Sequence, residues 1–118
     1  MAIENARLTD TQLDLIEVPA GKTYAITNII VCNTYSPTGA SPENETAAFD
    51  MHLLKSGQAL SNTVTCVVRE LSLPAGETFT FDTEKIVLEA GDKLSFVADP
   101  DVGAGNTNLA AMVSYLEV

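Results

Sequence analysis

Three times the chain carries the same short reversal: Val18-Pro19-Ala20-Gly21-Lys22, Leu73-Pro74-Ala75-Gly76-Glu77 and Leu88-Glu89-Ala90-Gly91-Asp92. An apolar residue enters, Pro or Glu and then Ala follow, and Gly precedes a charged residue that opens an alternating segment. Pro or Glu and Ala suit the right-handed positions of a type I turn. Gly suits the left-handed position that closes a three-residue loop with a bulge. Three such reversals leave room only for short strands, so the chain reads as all-β. The glycines are separated by 55 and then 15 residues, too unevenly for tandem duplication. One turn solution is therefore reused within one fold.

At 118 residues the chain suits one domain. With 46% hydrophobic residues it is too apolar for a disordered segment. The pattern places a polar arm at residues 1–12 and a single sandwich domain at residues 13–118. Strands are predicted over Leu13–Val18, Thr23–Cys32, Ala47–Lys55, Thr63–Leu73, Thr78–Asp82, Lys85–Leu88, Leu94–Ala98 and Leu109–Val118. About eight strands without a helical stretch predict a two-sheet antiparallel sandwich of jelly-roll or Greek-key (immunoglobulin-like) type. The period-2 rule places Tyr24, Ile26, Ile30 and Cys32 on one face of the longest strand, opposite Ala25, Thr27, Ile29 and Val31. The arm is expected to be mobile or to order on a neighbouring subunit. Two long loops, 34–46 and 99–108, interrupt the pattern.

Sixteen acidic residues against six basic ones give a net charge of -10. That sign repels phosphate backbones, so no nucleic acid is expected as a partner. The longest apolar run, Leu109 to Val113, is too short to cross a bilayer as a helix, so no membrane partner is expected either. The first residues carry no basic start and no apolar segment, which predicts synthesis and folding in a cytoplasm. There Asn44-Glu45-Thr46 is a coincidental sequon. Cys32 and Cys66 read as small core residues rather than as a disulfide.

The search for chemistry yields few candidates. His52, the single histidine, lies two residues after Asp50 on one side of a strand, which suggests an acid–base pair or, more simply, a solvated polar face. Asp99 and Asp101 with Asn106 and Asn108 are the best oxygen set for calcium, yet they lack the regular spacing of a calcium loop. Gly103-Ala104-Gly105 reads as a hairpin tip, because no Lys-Ser/Thr and no helix follows it. Tyr35, in the first long loop, is the one tyrosine free to stack on a sugar, since Tyr24 and Tyr115 look buried. No catalytic, metal or cofactor residue is assigned, and no enzyme activity is expected. Open sheet edges leave assembly as the function with most room.

The segments from Val18 to Thr34, from Leu73 to Phe96 and from Ala110 to Val118 resemble small virion structural proteins of tailed bacteriophages, particularly marine and cyanobacterial ones. The likeness covers residues 13–118 and is most specific over 71–98, where two of the turns flank Lys85-Ile86-Val87-Leu88. It implies an exterior β-sandwich subunit of the virion: a capsid decoration or cement protein, or a tail, neck, baseplate or fibre component. The implied partners are the major capsid protein or tail proteins and further copies of the chain, trimers being common in such proteins. A receptor- or carbohydrate-binding module is the reading from another class.

Overall fold

The computed structural model describes residues 2–36, 45–81, 86–99 and 108–118. Nine strands follow one another: β1 (Ala2–Arg7), β2 (Leu13–Glu17), β3 (Thr23–Asn33), β4 (Ala47–Leu54), β5 (Cys66–Leu73), β6 (Thr78–Phe81), β7 (Ile86–Glu89), β8 (Lys93–Ala98) and β9 (Leu109–Glu117). They form two antiparallel sheets packed as a sandwich. One sheet runs β1-β9-β3 and then β6 and β7, which both pair with β3; the other runs β2-β8-β4-β5. β6 lies against Ile29–Cys32 and β7 against Thr23–Ile26, so the two are halves of one interrupted strand. Counted that way, the pairs β1·β9, β2·β8, β3·β6/β7 and β4·β5 are nested like the rungs of one long hairpin, rolled up into two sheets. This is the jelly-roll order among the topologies expected, and not the immunoglobulin one.

The ninth strand comes from the segment expected to be an arm. Ala2–Arg7 pairs with β9 of the same chain, from Ala2 opposite Tyr115 to Arg7 opposite Ala110, and Leu8 behind it is fully buried. Its side chains alternate too weakly for a period-2 signal because nearly all of them remain exposed.

The three glycines are all left-handed, with φ of 78°, 79° and 86° at Gly21, Gly76 and Gly91. The turn type differs from the expected one. Lys22 N donates to Pro19 O (3.2 Å), Glu77 N to Pro74 O (3.1 Å) and Asp92 N to Glu89 O (2.9 Å). Glycine is thus the third of four residues, where a positive φ defines a type II turn. None of the three closes a hairpin. Each carries the chain from one sheet to the other, β2 to β3, β5 to β6 and β7 to β8, and so forms a corner of the sandwich. The corners also bind their neighbours: Gly91 N donates to Val18 O (2.8 Å), and Gly76 N to Asn33 O (2.9 Å).

β3 departs from strict alternation. Ile26 faces Tyr115 and Asn28 faces Ser114, so Thr27 is an extra residue, a bulge. One extra residue exchanges the two faces of everything beyond it. Tyr24 and Ile26 point inward before the bulge, and Ile29, Val31 and Asn33 after it. Ile30 and Cys32, predicted to share a face with Ile26, lie on the opposite side. In the core, Phe49 of β4 packs against Phe96 of the same sheet and edge-on against Phe79 of the facing one, with ring centroids 6.3 and 5.7 Å apart.

Asn33 ends β3 fully buried. Its Nδ2 donates to the carbonyls of Glu45 (2.8 Å) and Leu73 (3.0 Å), and its Oδ1 accepts from Tyr35 N (3.0 Å). The side chain thereby ties β3 to the residues before β4 and to the end of β5, while its backbone bonds the 74–77 corner. Replacing Asn33 with Ala removes two buried hydrogen bonds and one part-buried one, and we expect a loss of about 2–3 kcal/mol in urea unfolding.

A Cβ at Gly91 would lie within 2.7 Å of Ser56 Cβ, whereas one at Gly21 meets nothing. Gly21→Ala should therefore cost about 1 kcal/mol, for the left-handed backbone alone. Gly91→Ala should cost roughly twice that or more, with Ser56→Gly restoring the steric share. Equal losses at the two positions, with no rescue by Ser56→Gly, would show that the Ser56 contact is immaterial.

Candidate functional site

Two surfaces remain once the core is filled: the outer faces of the two sheets. They differ sharply in chemistry.

On the four-stranded sheet the register places Asp14, Ser95, His52 and Cys66 side by side, one from each of β2, β8, β4 and β5. His52 was expected on a solvated face with Asp50. It does point away from the core, but the segment 58–65 covers it and it is fully buried, as is Ser95. Thr65 Oγ1 donates to Ser61 O (2.9 Å) and accepts from Ser61 N (3.0 Å), and His52 Nδ1 lies 2.8 Å from the same oxygen. Nε2 is buried with no hydrogen-bond partner among the described residues. Burial holds the imidazole pKa below its ordinary 6.5; the Asp50 carboxylate opposes this and the Arg69 guanidinium adds to it.

Asp50 is engaged elsewhere. Its Oδ2 accepts from Arg69 (2.7 Å) and its Oδ1 from Glu70 N (2.7 Å), clamping a bulge of β5 at which Glu70 takes a φ of 48°. The acid–base pair that the spacing superficially suggests is therefore not assembled. The row next to it does not supply one either. Ser95 Oγ donates to Asp14 Oδ1 (2.6 Å), so this serine gives its proton to a carboxylate rather than to His52. A general base would need the reverse arrangement. Burial raises the carboxyl pKa of Asp14, but the bonds from Ser95 and Gln12 and the charge of Lys93 outweigh it, leaving the net value low. Burial also pushes the pKa of the Cys66 thiol up, and its Sγ donates to Val68 O (3.2 Å).

On the five-stranded sheet the described strand residues of the outer face are mostly uncharged. Leu116, Ala25 and Val87 form one row across β9, β3 and β7; Asn5, Met112, Ile30 and Thr80 form another across β1, β9, β3 and β6. Ile3, Val87, Met112 and Leu116 are 57%, 57%, 39% and 40% exposed, large apolar side chains gathered on one side. Ile30, Cys32, Met112 and the stem of Arg7 line a shallow depression there of about 330 Å³. Among the described strand residues of this face only Arg7 and Glu89 are charged, and they occupy opposite corners. Cys32 lies on this face and Cys66 on the other, so neither is in the core as expected, and both are free. The sequence signal for this surface was available: the apolar second face of β3.

The remaining sequence candidates separate. Asp99 and Asn108 flank the second loop, where Thr34 Oγ1 donates to Asn108 O (2.7 Å). Asp101, Asn106 and Gly103-Ala104-Gly105 lie outside the described residues. Among the described residues no three His, Cys, Asp or Glu side chains gather closely enough to hold a metal ion. Tyr35 is half-buried beside Asn33. Tyr24 and Tyr115 stack on each other with centroids 4.5 Å apart and are likewise only partly buried. No family model and no curated protein matches this chain.

The buried neutral imidazole gives stability a pH dependence of definite sign. With a folded pKa below 6.5, the unfolded chain takes up the proton first as pH falls. The stability is complete above that value and is lost as pH drops towards the folded pKa. Between about pH 7.5 and 5, wild type should lose more stability than His52→Gln in parallel urea titrations. Parallel curves for the two proteins would mean that His52 does not titrate differently on unfolding.

Proposed function

We propose that this chain is a non-enzymatic structural subunit of a tailed-phage virion, held on the particle exterior as a capsid decoration or cement protein. The observation that carries the reading is the outer face of the five-stranded sheet. On a chain of net charge -10, the described strand residues of this face include large exposed apolar side chains and only two charges, Arg7 and Glu89. Large apolar side chains are costly to leave in water, and their grouping on one face marks a docking surface. The jelly roll is also a fold of viral capsid and lectin domains, a fold-level analogy that supports the reading without carrying it. The resemblance over residues 13–118 points the same way.

The mechanism is repetition. A modest apolar contact made by each of many copies on a symmetric shell sums to strong retention through avidity. The partner is then the major capsid protein, or a tail protein if the copies are few.

The test is to incubate purified protein with particles lacking it and to image them. Ordered density on the capsid lattice, lost when Val87 and Met112 are both replaced by Glu, is the expected result. Both side chains are exposed, so the double variant should retain its far-UV spectrum and melting temperature. Bare capsids with wild-type protein would refute the decoration reading, and density confined to the tail would move the subunit there.

A further inference from the structure

Four strands or strand pairs form the edges of the two sheets, and three of them are interrupted. β5 carries two bulges, the charged pair Arg69 and Glu70, and a left-handed residue at Glu70. β2 is bulged between Asp14 and Ile16. β6 and β7 share an edge as two pieces of four residues each. Such features keep other chains from adding to a sheet. β1 carries Glu4 and Arg7 but has no bulge, no left-handed residue and no break. It pairs with β9 over six consecutive residues without a register shift, contains no Pro, and exposes nearly every side chain.

The register of β1 also shows which of its backbone groups are unused by β9. Leu8 N donates to Leu109 O (2.8 Å), so Leu8 and Leu109 form a hydrogen-bonded pair that continues the β1·β9 ladder. Hydrogen-bonded and non-hydrogen-bonded pairs alternate in an antiparallel ladder. Ala6, Glu4 and Ala2 therefore bond to β9, while Arg7, Asn5 and Ile3 turn their N–H and C=O groups to the open edge.

We propose that β1 is a docking edge for a second copy of this chain: two β1 strands pair antiparallel about a two-fold axis at Asn5, joining two five-stranded sheets into one. A two-fold axis perpendicular to the sheet keeps inner and outer faces in common, so residues directly opposite must share parity. Three registers meet that condition with useful overlap. Centring on Glu4 sets two like charges directly opposite, and centring on Ala6 leaves Ile3 without a counterpart. Centring on Asn5 pairs Asn5 with itself and Ile3 with Arg7 in both directions. It uses every outward-facing group, giving about six interchain backbone hydrogen bonds, two for each of three pairs. The stem of Arg7 then covers the exposed Ile3 of the other copy. With one Glu and one Arg, β1 is neutral on a chain of net charge -10, so the paired strands themselves carry no net like charge. The joined sheet also doubles the apolar outer face, although the pairing does not depend on what that face binds.

The experiment follows oligomeric state by sedimentation velocity up to about 1 mM protein. Wild type is expected to be a dimer that dissociates on dilution. Asn5→Pro removes a donor that β9 does not use, and Asn5→Lys sets two ammonium groups across the axis; each is expected to give a folded monomer. In a Cys32→Ser/Cys66→Ser background, Asn5→Cys is expected to form a disulfide dimer on oxidation and Glu4→Cys is not, because directly opposite hydrogen-bonded residues lie about 5.5 Å apart. A wild-type monomer throughout the range overturns the proposal. So does an oligomer that both Asn5→Lys and Asn5→Pro leave intact, or cross-linking at Glu4→Cys in place of Asn5→Cys. Loss of the dimer in Asn5→Lys decides the matter even if Asn5→Pro fails to fold.

Discussion

The extra residue at Thr27 sets the identity of both faces of the five-stranded sheet. β3 is the central strand, with β9 on one side and β6 and β7 on the other, so its side-chain phase dictates theirs. Before the bulge, even-numbered residues face the core; after it, odd-numbered ones do. Without it either Tyr24 and Ile26 or Ile29 and Val31 would face water. The Thr27 and Ser114 hydroxyls, 2.7 Å apart, bridge the irregularity on the outer side. The same phase shift turns Ile30 and Cys32 outward. The surface proposed to dock on a particle is thus a consequence of how the core is completed.

What the sequence disclosed follows the range of the interactions involved. The left-handed glycines were legible because a turn is settled by four adjacent residues. The inward sets of β4, β8 and β9, including Phe49, Met51, Leu94, Phe96 and Val113, were legible because nothing interrupts their alternation on that side. β3 was misread beyond Ile26, since a bulge changes the count without changing composition. The adjacent polar residues Thr27 and Asn28 in an otherwise apolar strand were the only trace of it. β1 was missed for the opposite reason: an edge strand exposed on both faces has no alternation to detect.

The polar candidates show the same division. His52 was correctly read as pointing away from the core, but whether an outward side chain meets water depends on what folds over it. Here Thr65, itself bonded to Ser61, lies against the imidazole. The row Asp14, Ser95, His52 and Cys66 draws on four strands, and no local pattern could assemble it. Asn33 looked like the first residue of a loop, yet it is buried and bonds to segments 12 and 40 residues away in the chain.

The nested pairing of the strands has a consequence for how the chain comes together. β4 and β5 are joined by a short connection, so their contact closes the smallest loop. Once they meet, the effective loop for β3 with β6 and β7 is shortened, then that for β2 with β8, and finally that for β1 with β9. Each closure lowers the entropy cost of the next, so the fold assembles most cheaply from its middle outward. β1, the outermost rung, is placed last and released first, at little cost to the rest of the sandwich. An edge that comes free this readily can be exchanged between molecules, even though the domain it closes stays folded.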